Sequence, residues 1–288
     1  MPIDPVVAFG TAAAAALIGL GVSHAIDGMS PQPRGPGVLT DMVTLAPGSF
    51  DHPQPGEFLR NNHPVPAPVA KETVETPLEI MKYQVTASDY DRCVLDGACK
   101  PADSRLAGNV PATGVSFIDA QAYANWVSEK TGEAWRLPTD VEWAYAAGER
   151  FRADIEGAAG DPSDPARRWL TQYRNEAALA RKPEPEPRPL GAFGANSKGV
   201  ADVAGNVWEW TSTCYVHATM SDGAVASSIS NCGVHVVEGF HRTYMSNFIR
   251  DGKSGGCAVG TPPDNLGFRL VHDHAGFLRA ALRRLGLT

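Results

Sequence analysis

The chain has 288 residues, of which 43% are apolar, so it is long enough to bury one large hydrophobic core or two smaller ones. This apolar content argues against a disordered protein, and a net charge of −7 without a basic stripe argues against nucleic-acid binding. The 29 glycines and 23 prolines, without a long periodic segment, predict a loop-rich fold.

The N-terminal segment resembles an export signal. An apolar run extends from about Val6 to Val22, and two small residues, Ser23 and Ala25, stand where signal peptidase requires them. Residues 1–25 are therefore predicted to be a secretory signal peptide or, since no Lys or Arg precedes the run, an uncleaved anchor. A buried Ala-rich helix is the alternative. Export predicts a periplasmic protein with no membrane contact beyond this segment.

The next segments are typical of a linker, strands and a loop. Residues 26–40 are rich in Pro and Gly and are predicted to lead into a domain over residues 41–273. The first stretch of this domain, DMVTLAPGSF, predicts two strands and a tight turn. The polar, Pro-rich stretch that follows, as far as Glu72, predicts a surface loop. An extended run is expected over Leu78–Val85.

Three helices are predicted in the first half of the domain, and each follows a capping residue. Thr86 is expected to cap the first helix, which runs through Tyr90 and Val94. The second, FIDAQAYANWVSEKT, begins after Ser116 and ends at Gly132. The third begins after Thr139, which is expected to form a capping box with Glu142.

The second half predicts little regular structure. Residues 151–189 are irregular, residues 190–272 are typical of short strands and glycine turns, and residues 274–288 predict a basic C-terminal helix. Helices among many short strands and long loops predict an α+β fold class. Arg269 is expected to form an ion pair inside the fold. The charged residues near the third helix are expected to cap it and to pair with one another; they are Glu133, Arg136, Asp140 and Glu142.

Five cysteines agree with an oxidising compartment. Cys93 and Cys99 are close enough in sequence to close a small loop as a disulfide. Cys214 and Cys232 could join the two ends of the loop between them, although Cys257 could pair with either. Any pairing scheme leaves one cysteine over. Disulfides persist outside the cytoplasm, which agrees with export to the periplasm.

Six stretches, in this order, carry a resemblance to a known family. They are MVTLAPGSF, YQVTASDY, PATGVSFIDAQAYANWV, WRLPTDVEWAYAAG, DVAGNVWEWTS and NLGFRLV. Together they resemble the sulfatase-modifying-factor family, whose founding members are formylglycine-generating enzymes. The resemblance covers about Asp41 to Val271. It implies a C-type-lectin-like α+β fold with little regular secondary structure.

The stretch DVAGNVWEWTS resembles the family segment that wraps a structural calcium ion. The resemblance implies that Asp202 and Glu209 bind calcium through side chains, and Gly205 and Val207 through backbone carbonyls. Calcium accepts carboxylate and carbonyl oxygens together, and alternation along an extended chain could aim every second group at one ion. One calcium ion is expected. The alternative is that Glu209 caps a backbone amide and no ion binds.

The family's redox chemistry depends on two cysteines that bind Cu(I) and hold the substrate cysteine. Counting back from NLGFR through Arg250 places these catalytic positions at His241 and Ser246, neither of which offers a thiolate. The copper-dependent oxidation is therefore expected to be lost. A rearranged copper, zinc or iron site built from His235, His241 and Cys257 is the alternative.

Two functions follow from this comparison. The first is an exported accessory or maturation protein that binds a polypeptide partner. The C-terminal part resembles denitrification accessory proteins of the NirV type, which accompany copper nitrite reductase, so the partner is expected to be a periplasmic metalloenzyme. The second is a metal-dependent oxidoreductase that modifies a peptidyl cysteine, or a related non-haem metal oxidase.

Overall fold

The computed structural model describes residues 41–153, 186–252 and 265–274, which form two larger sheets, one small sheet and three helices. Several predictions concern residues outside this described part of the chain: the signal segment, the linker, Cys257 and all but the first residue of the C-terminal helix. Within the described part, no helix is both long enough and apolar enough to cross a membrane.

The predicted helices are confirmed together with their caps. They are α1 (Ala87–Leu95), α2 (Phe117–Thr131) and α3 (Asp140–Ala147). The hydroxyl of Thr86 accepts a hydrogen bond from the Asp89 amide, and both later helices begin with a reciprocal capping box. Helix α2 ends at Gly132, whose φ of 72° lies in the left-handed region that glycine adopts without strain.

A four-stranded antiparallel sheet brings together segments that lie far apart in sequence. Its strands, in spatial order, are β1 (Met42–Leu45), β6 (Leu78–Met81), β12 (Val271–His272) and β7 (Trp135–Arg136). The predicted strand–turn–strand at the start of the domain is present, but its two strands pair with different partners. Strand β1 pairs with β6, whereas β2 (Gly48–Pro53) pairs with β5 (Val69–Val74) in the small sheet.

A six-stranded sheet carries the C-terminal half of the described chain. Its strands, in spatial order, are β10 (Arg242–Ser246), β9 (Ala224–Glu238), β8 (Trp208–Ser221), β3 (Glu57–Arg60) and β4 (His63–Val65), with β11 (Leu266–Gly267) also paired to β8. The prediction of short strands over residues 190–272 is confirmed for β10, β11 and β12 and is wrong for β8 and β9, which form one long hairpin. Asp222 and Gly223 close it with φ of 50° and 81°, the paired positive angles of a tight hairpin turn.

The Pro-rich surface loop predicted as far as Glu72 is also wrong, because β3, β4 and β5 occupy much of it. Proline cannot donate a ladder hydrogen bond, yet Pro53 ends β2 and Pro64 lies in the edge strand β4, where that loss is tolerated. The overall α+β class is confirmed: a few helices pack beside mixed sheets joined by long loops.

Two large hydrophobic clusters fill most of the interior of the described chain, and a third, small one packs Phe58 against Ala218 and Met220. The larger packs α1 and α2 against β8 and β11 through Tyr123, Trp210 and Phe268. The second packs Trp143 of α3 against the four-stranded sheet. The predicted disulfide between Cys93 and Cys99 is present and closes the loop after α1 against the larger cluster.

Candidate functional site

The segment before β8 is a succession of turns rather than an extended strand. Asp202, Ala204 and Asn206 have φ of 55°, 57° and 64°. The alternation assumed for a calcium ligand set is therefore absent before Trp208. Asp202 is buried, and its carboxylate accepts hydrogen bonds from the backbone amides of Gly191 (2.5 Å) and Phe193 (2.9 Å). This side chain ties the turn to the preceding loop.

Glu209, the next residue after Trp208, is fully buried in a polar network. Its Oε1 accepts from Gln84 Nε2 (2.8 Å) and Arg269 Nη2 (2.7 Å). Its Oε2 accepts from Trp143 Nε1 (2.9 Å) and Arg269 Nε (2.6 Å). The prediction that Arg269 forms an ion pair inside the fold is thereby confirmed.

These contacts bear on the calcium prediction for Asp202, Gly205, Val207 and Glu209. A calcium ion needs six to eight oxygen ligands with lone pairs directed at it. Each oxygen of Glu209 already accepts two N–H groups, and Arg269 supplies the positive charge that an ion would supply. As they lie, the four residues do not fit a calcium ion. Calcium binding stays a prediction, and the geometry favours Arg269 as the counter-charge of Glu209.

The two residues predicted to take the positions of the family's cysteine pair, His241 and Ser246, lie on the β9–β10 hairpin. His241 is buried in the turn, where its Nδ1 lies 2.8 Å from the Arg242 carbonyl oxygen and its ring packs edge-on against Trp208. Ser246 ends β10 opposite Val234 of β9. The turn fits only because Gly239 has no side chain: a Cβ there would lie 2.5 Å from the Trp208 ring.

His235 lies beside the second disulfide instead of beside His241. Cys214 and Cys232 form a disulfide between β8 and β9, which is one of the pairings that the sequence left open. Cys214 Sγ lies 3.8 Å from His235 Nε2. The His235 ring stacks on Phe117 at 3.7 Å and its Nδ1 lies 2.6 Å from Asn247 Oδ1. Burial lowers the pKa of His235, which favours the neutral imidazole.

The alternative metal site of His235, His241 and Cys257 stays a prediction. Among the described residues, neither histidine belongs to a group of three or more His, Cys, Asp or Glu ligands, and Cys257 lies outside them. The structure does place three such ligands together elsewhere, at Glu79, His272 and His274.

A second buried polar network underlies the hairpin that carries His241. Arg242 donates from Nε to Asp140 Oδ1 and Glu238 Oε1, both at 3.0 Å, and His52 Nε2 lies 2.6 Å from Asp140 Oδ2. Sequence reasoning assigned Asp140 to helix capping and missed His52, Glu238 and Arg242. The signal in the sequence that could have indicated this network is the i,i+4 spacing of the oppositely charged Glu238 and Arg242.

The surroundings of this network shift the pKa values of its two carboxyl groups, Glu238 and Asp140, in opposite directions. Burial and the nearby Asp140 raise the pKa of Glu238 well above its usual value. Burial alone would raise the pKa of Asp140, but the Arg242 charge and hydrogen bonds from Glu238 and His52 lower it. A proton is therefore held on Glu238, while Asp140 is the anion that pairs with Arg242.

An open cleft of about 350 Å³ lies between the turns before β8 and the β9–β10 turn. It is lined by Glu149, Arg150, Arg152, Phe193, Phe240 and the backbone turn from Val203 to Gly205. Hydrogen bonds from the Ser197 hydroxyl and amide lower the pKa of Glu149 to about 2, so this wall of the cleft is negatively charged. Charges of both signs beside two aromatic rings suit a peptide more than a small apolar ligand.

Replacing Arg269 tests the buried ion pair. Arg269→Met leaves the Glu209 charge buried without its partner, so we expect the free energy of unfolding to fall by about 3–5 kcal/mol. Lys130→Met removes an ion pair between exposed side chains, Lys130 and Asp96, and should change stability little. Urea denaturation of both variants checks this; equal, small losses would contradict a central role for Arg269.

Exchanging Glu238 for Gln tests the raised pKa. Because folding raises this pKa above 4.5, the protonated carboxyl contributes stability that is present below pH 4.5 and is lost as pH rises through the folded-state pKa. Glu238→Gln cannot ionise, so its stability relative to wild type should increase with pH above about 4.5. Urea denaturation from pH 5 to pH 8 measures this, with Glu129→Gln, at an exposed residue of α2, as control. A difference independent of pH would contradict the assignment.

Comparison with known proteins agrees with this architecture. A formylglycine-generating enzyme of Mycobacterium tuberculosis is 40% identical over 120 residues, covering 38% of this chain and 36% of the relative. A hercynine oxygenase of Mycolicibacterium smegmatis is 36% identical over 114 residues, covering 38% and 23%. The inactive C-alpha-formylglycine-generating enzyme 2 of Bos taurus is 32% identical over 164 residues, covering 55% and 49%. The chain spans less than half the length of each of these curated relatives.

The solved structure of PvdO from Pseudomonas aeruginosa shares the fold. It superposes with a TM-score of 0.50 and 24% sequence identity, covering 81% of this chain and 94% of PvdO. The model of the sulfatase-modifying factor enzyme 1-like domain matches residues 28–274. This match extends over most of the sequence, so the chain belongs to the sulfatase-modifying factor family, the family of the formylglycine-generating enzymes.

Proposed function

We propose that this protein is an exported accessory member of the family, which binds a polypeptide partner and does not oxidise it. The observation that carries the proposal is that the β9–β10 hairpin offers no free thiol. His241 and Ser246, the residues predicted at the positions of the family's cysteine pair, carry none, and Cys214 and Cys232 of the same sheet are joined to each other as a disulfide. Cu(I) binding and thiol exchange at this hairpin both need reduced sulfur, which His241 and Ser246 do not offer.

Two further observations support this reading. One matched relative is itself described as inactive, so loss of the oxidation is compatible with the family scaffold. The two disulfides agree with an oxidising compartment such as the periplasm. The partner we propose is a periplasmic metalloenzyme of the copper nitrite reductase type, which the protein would assist during maturation.

The surface around the hairpin supports peptide binding. Phe240, on the wall of the cleft, is partly exposed, and Phe248, just beyond β10, has 73% of its surface exposed. Exposed aromatic rings beside a charged cleft are typical of a protein-binding surface, where they contribute the largest share of the binding energy. Phe240, at the cleft, and Phe248 lie beyond opposite ends of β10, so an extended segment could contact both.

An aldehyde assay tests the absence of the oxidation. The full chain, supplied with copper and oxygen, should form no aldehyde on a peptide that contains Cys-x-Pro-x-Arg, because His241 and Ser246 cannot bind Cu(I) as thiolates do. Mass spectrometry of the peptide checks this, with the formylglycine-generating enzyme of Mycobacterium tuberculosis as the positive control. Catalytic aldehyde formation would reject the accessory function in favour of the metal-dependent oxidoreductase.

A binding measurement tests the partner. We expect the full chain to bind purified copper nitrite reductase from the same organism. Phe248→Asp should raise the dissociation constant at least tenfold, which is a loss of roughly 1.4 kcal/mol of binding free energy. Leu95→Asp, at a leucine of α1 that is 86% exposed, is the matched control and should bind like the wild type. Biolayer interferometry measures all three. Absence of binding by the wild type, or equal weakening by both variants, would contradict the proposed surface and partner.

A further inference from the structure

Two histidines and a glutamate meet at the end of the four-stranded sheet, away from the six-stranded sheet that carries His241 and Ser246. Strand β12 places His272 directly opposite Glu79 of β6. His274 follows His272 by two positions, the spacing at which successive side chains along an extended chain return to the same face. The intervening Asp273 pairs with Arg136 instead, at 3.3 Å.

The ligand atoms lie at spacings that a metal ion requires. Glu79 Oε2 is 3.0 Å from His272 Nδ1 and 3.2 Å from His274 Nε2, and all three atoms lie within 4.8 Å of one another. Ligands about 2.0–2.1 Å from a tetrahedral zinc ion are separated from each other by about 3.3–3.4 Å. Within residues 41–153, 186–252 and 265–274, this is the only group of at least three His, Cys, Asp or Glu ligands that lies so close.

The surroundings of His272 resemble a second coordination shell. Its Nδ1 faces Glu79, while its Nε2 lies 3.8 Å from Glu133 Oε2. In metal sites the second ring nitrogen of a ligating histidine is commonly bound by a carboxylate, which fixes the ring and strengthens the ligand. The ring of Trp135 packs 4.9 Å from His272 and holds it from the side of β7.

The site is also accessible and suitably charged. The side chains of Glu79 and His274 are 32% and 60% exposed, so an ion can enter from solvent and keep a water molecule in a remaining position. Two imidazoles and one carboxylate suit zinc or copper(II) and not calcium, which prefers oxygen ligands.

We infer that Glu79, His272 and His274 form a binding site for a divalent transition-metal ion, with Glu133 as the outer carboxylate of His272. The bound ion would connect the short C-terminal strand β12 to β6 and so stabilise that end of the sheet. The inference is independent of the proposed accessory function, because none of these residues contributes to the cleft or to the β9–β10 hairpin.

Zinc binding by the full-length, untagged chain, after removal of metals with EDTA, tests the site. We expect one zinc ion per chain by isothermal titration calorimetry at pH 7.5, and a higher melting temperature with zinc than with calcium. Glu79→Gln and His274→Ala should each weaken zinc binding at least about tenfold and abolish the thermal shift. Both side chains are partly exposed, so both variants should fold.

A histidine–glutamate pair on another sheet is the matched control. His217 Nδ1 lies 2.9 Å from Glu57 Oε2, with similar exposure, but this pair belongs to no three-ligand group in the described part of the chain. His217→Ala should bind zinc like the wild type. The inference is overturned if the wild type binds no zinc, if Glu79→Gln and His274→Ala bind it unchanged, or if His217→Ala loses as much affinity as they do.

Discussion

Arg269 and Glu209 form a fully buried ion pair, and its hydrogen-bonding groups come from every part of the described chain. Burying two charges costs several kcal/mol per ion unless their remaining donors and acceptors are also satisfied. Here all five N–H donors of Arg269 are used, on Glu209 and on the carbonyls of Met81, Lys82 and Ala201. The pair therefore fixes where β8 begins, where β6 ends and how the C-terminal strands lie against both. Loss of either partner would affect all of these elements together.

The second buried network extends this rigidity to the β9–β10 hairpin. Arg242 joins Asp140 of α3 to Glu238 of β9, so charge-assisted hydrogen bonds fix the turn between β9 and β10 against α3. In this turn Phe240 is partly exposed and His241 is buried, and Ser246 ends the following strand. The hairpin that is predicted to hold the family's reactive pair is therefore rigid, and His241 and Ser246, the residues predicted at those positions, offer no thiol. This arrangement agrees with the proposed accessory function, in which the hairpin binds a partner without oxidising it.

Local sequence signals predicted the helices and disulfides well, because caps and short cysteine spacings act within a few residues. Thr86, Ser116 and Thr139 each cap the start of a helix, as expected. Cys93 is bonded to Cys99, which is only six residues away in sequence. The hairpin of β8 and β9 was missed, although an Asp-Gly pair is a common hairpin turn. The serines and small residues of these strands obscured the alternation of apolar and polar side chains that predicts a strand. Long-range pairs were less predictable: His52 meets Asp140 only because β2 packs against α3, and the cluster of Glu79 with His272 depends on strand pairing. The calcium interpretation assumed an extended chain, whereas three left-handed residues turn it before Trp208.

The central claim is that this chain keeps the family scaffold and lacks the sulfur pair at His241 and Ser246. Restoring that pair tests the claim most directly, by titration of Cu(I) against a chromophoric chelator in the wild type and in the His241→Cys, Ser246→Cys double variant. The account predicts that the double variant binds one equivalent of Cu(I) more than the wild type, since two thiolates on the intact hairpin form a soft-metal site. Equal copper uptake by the two proteins would contradict it.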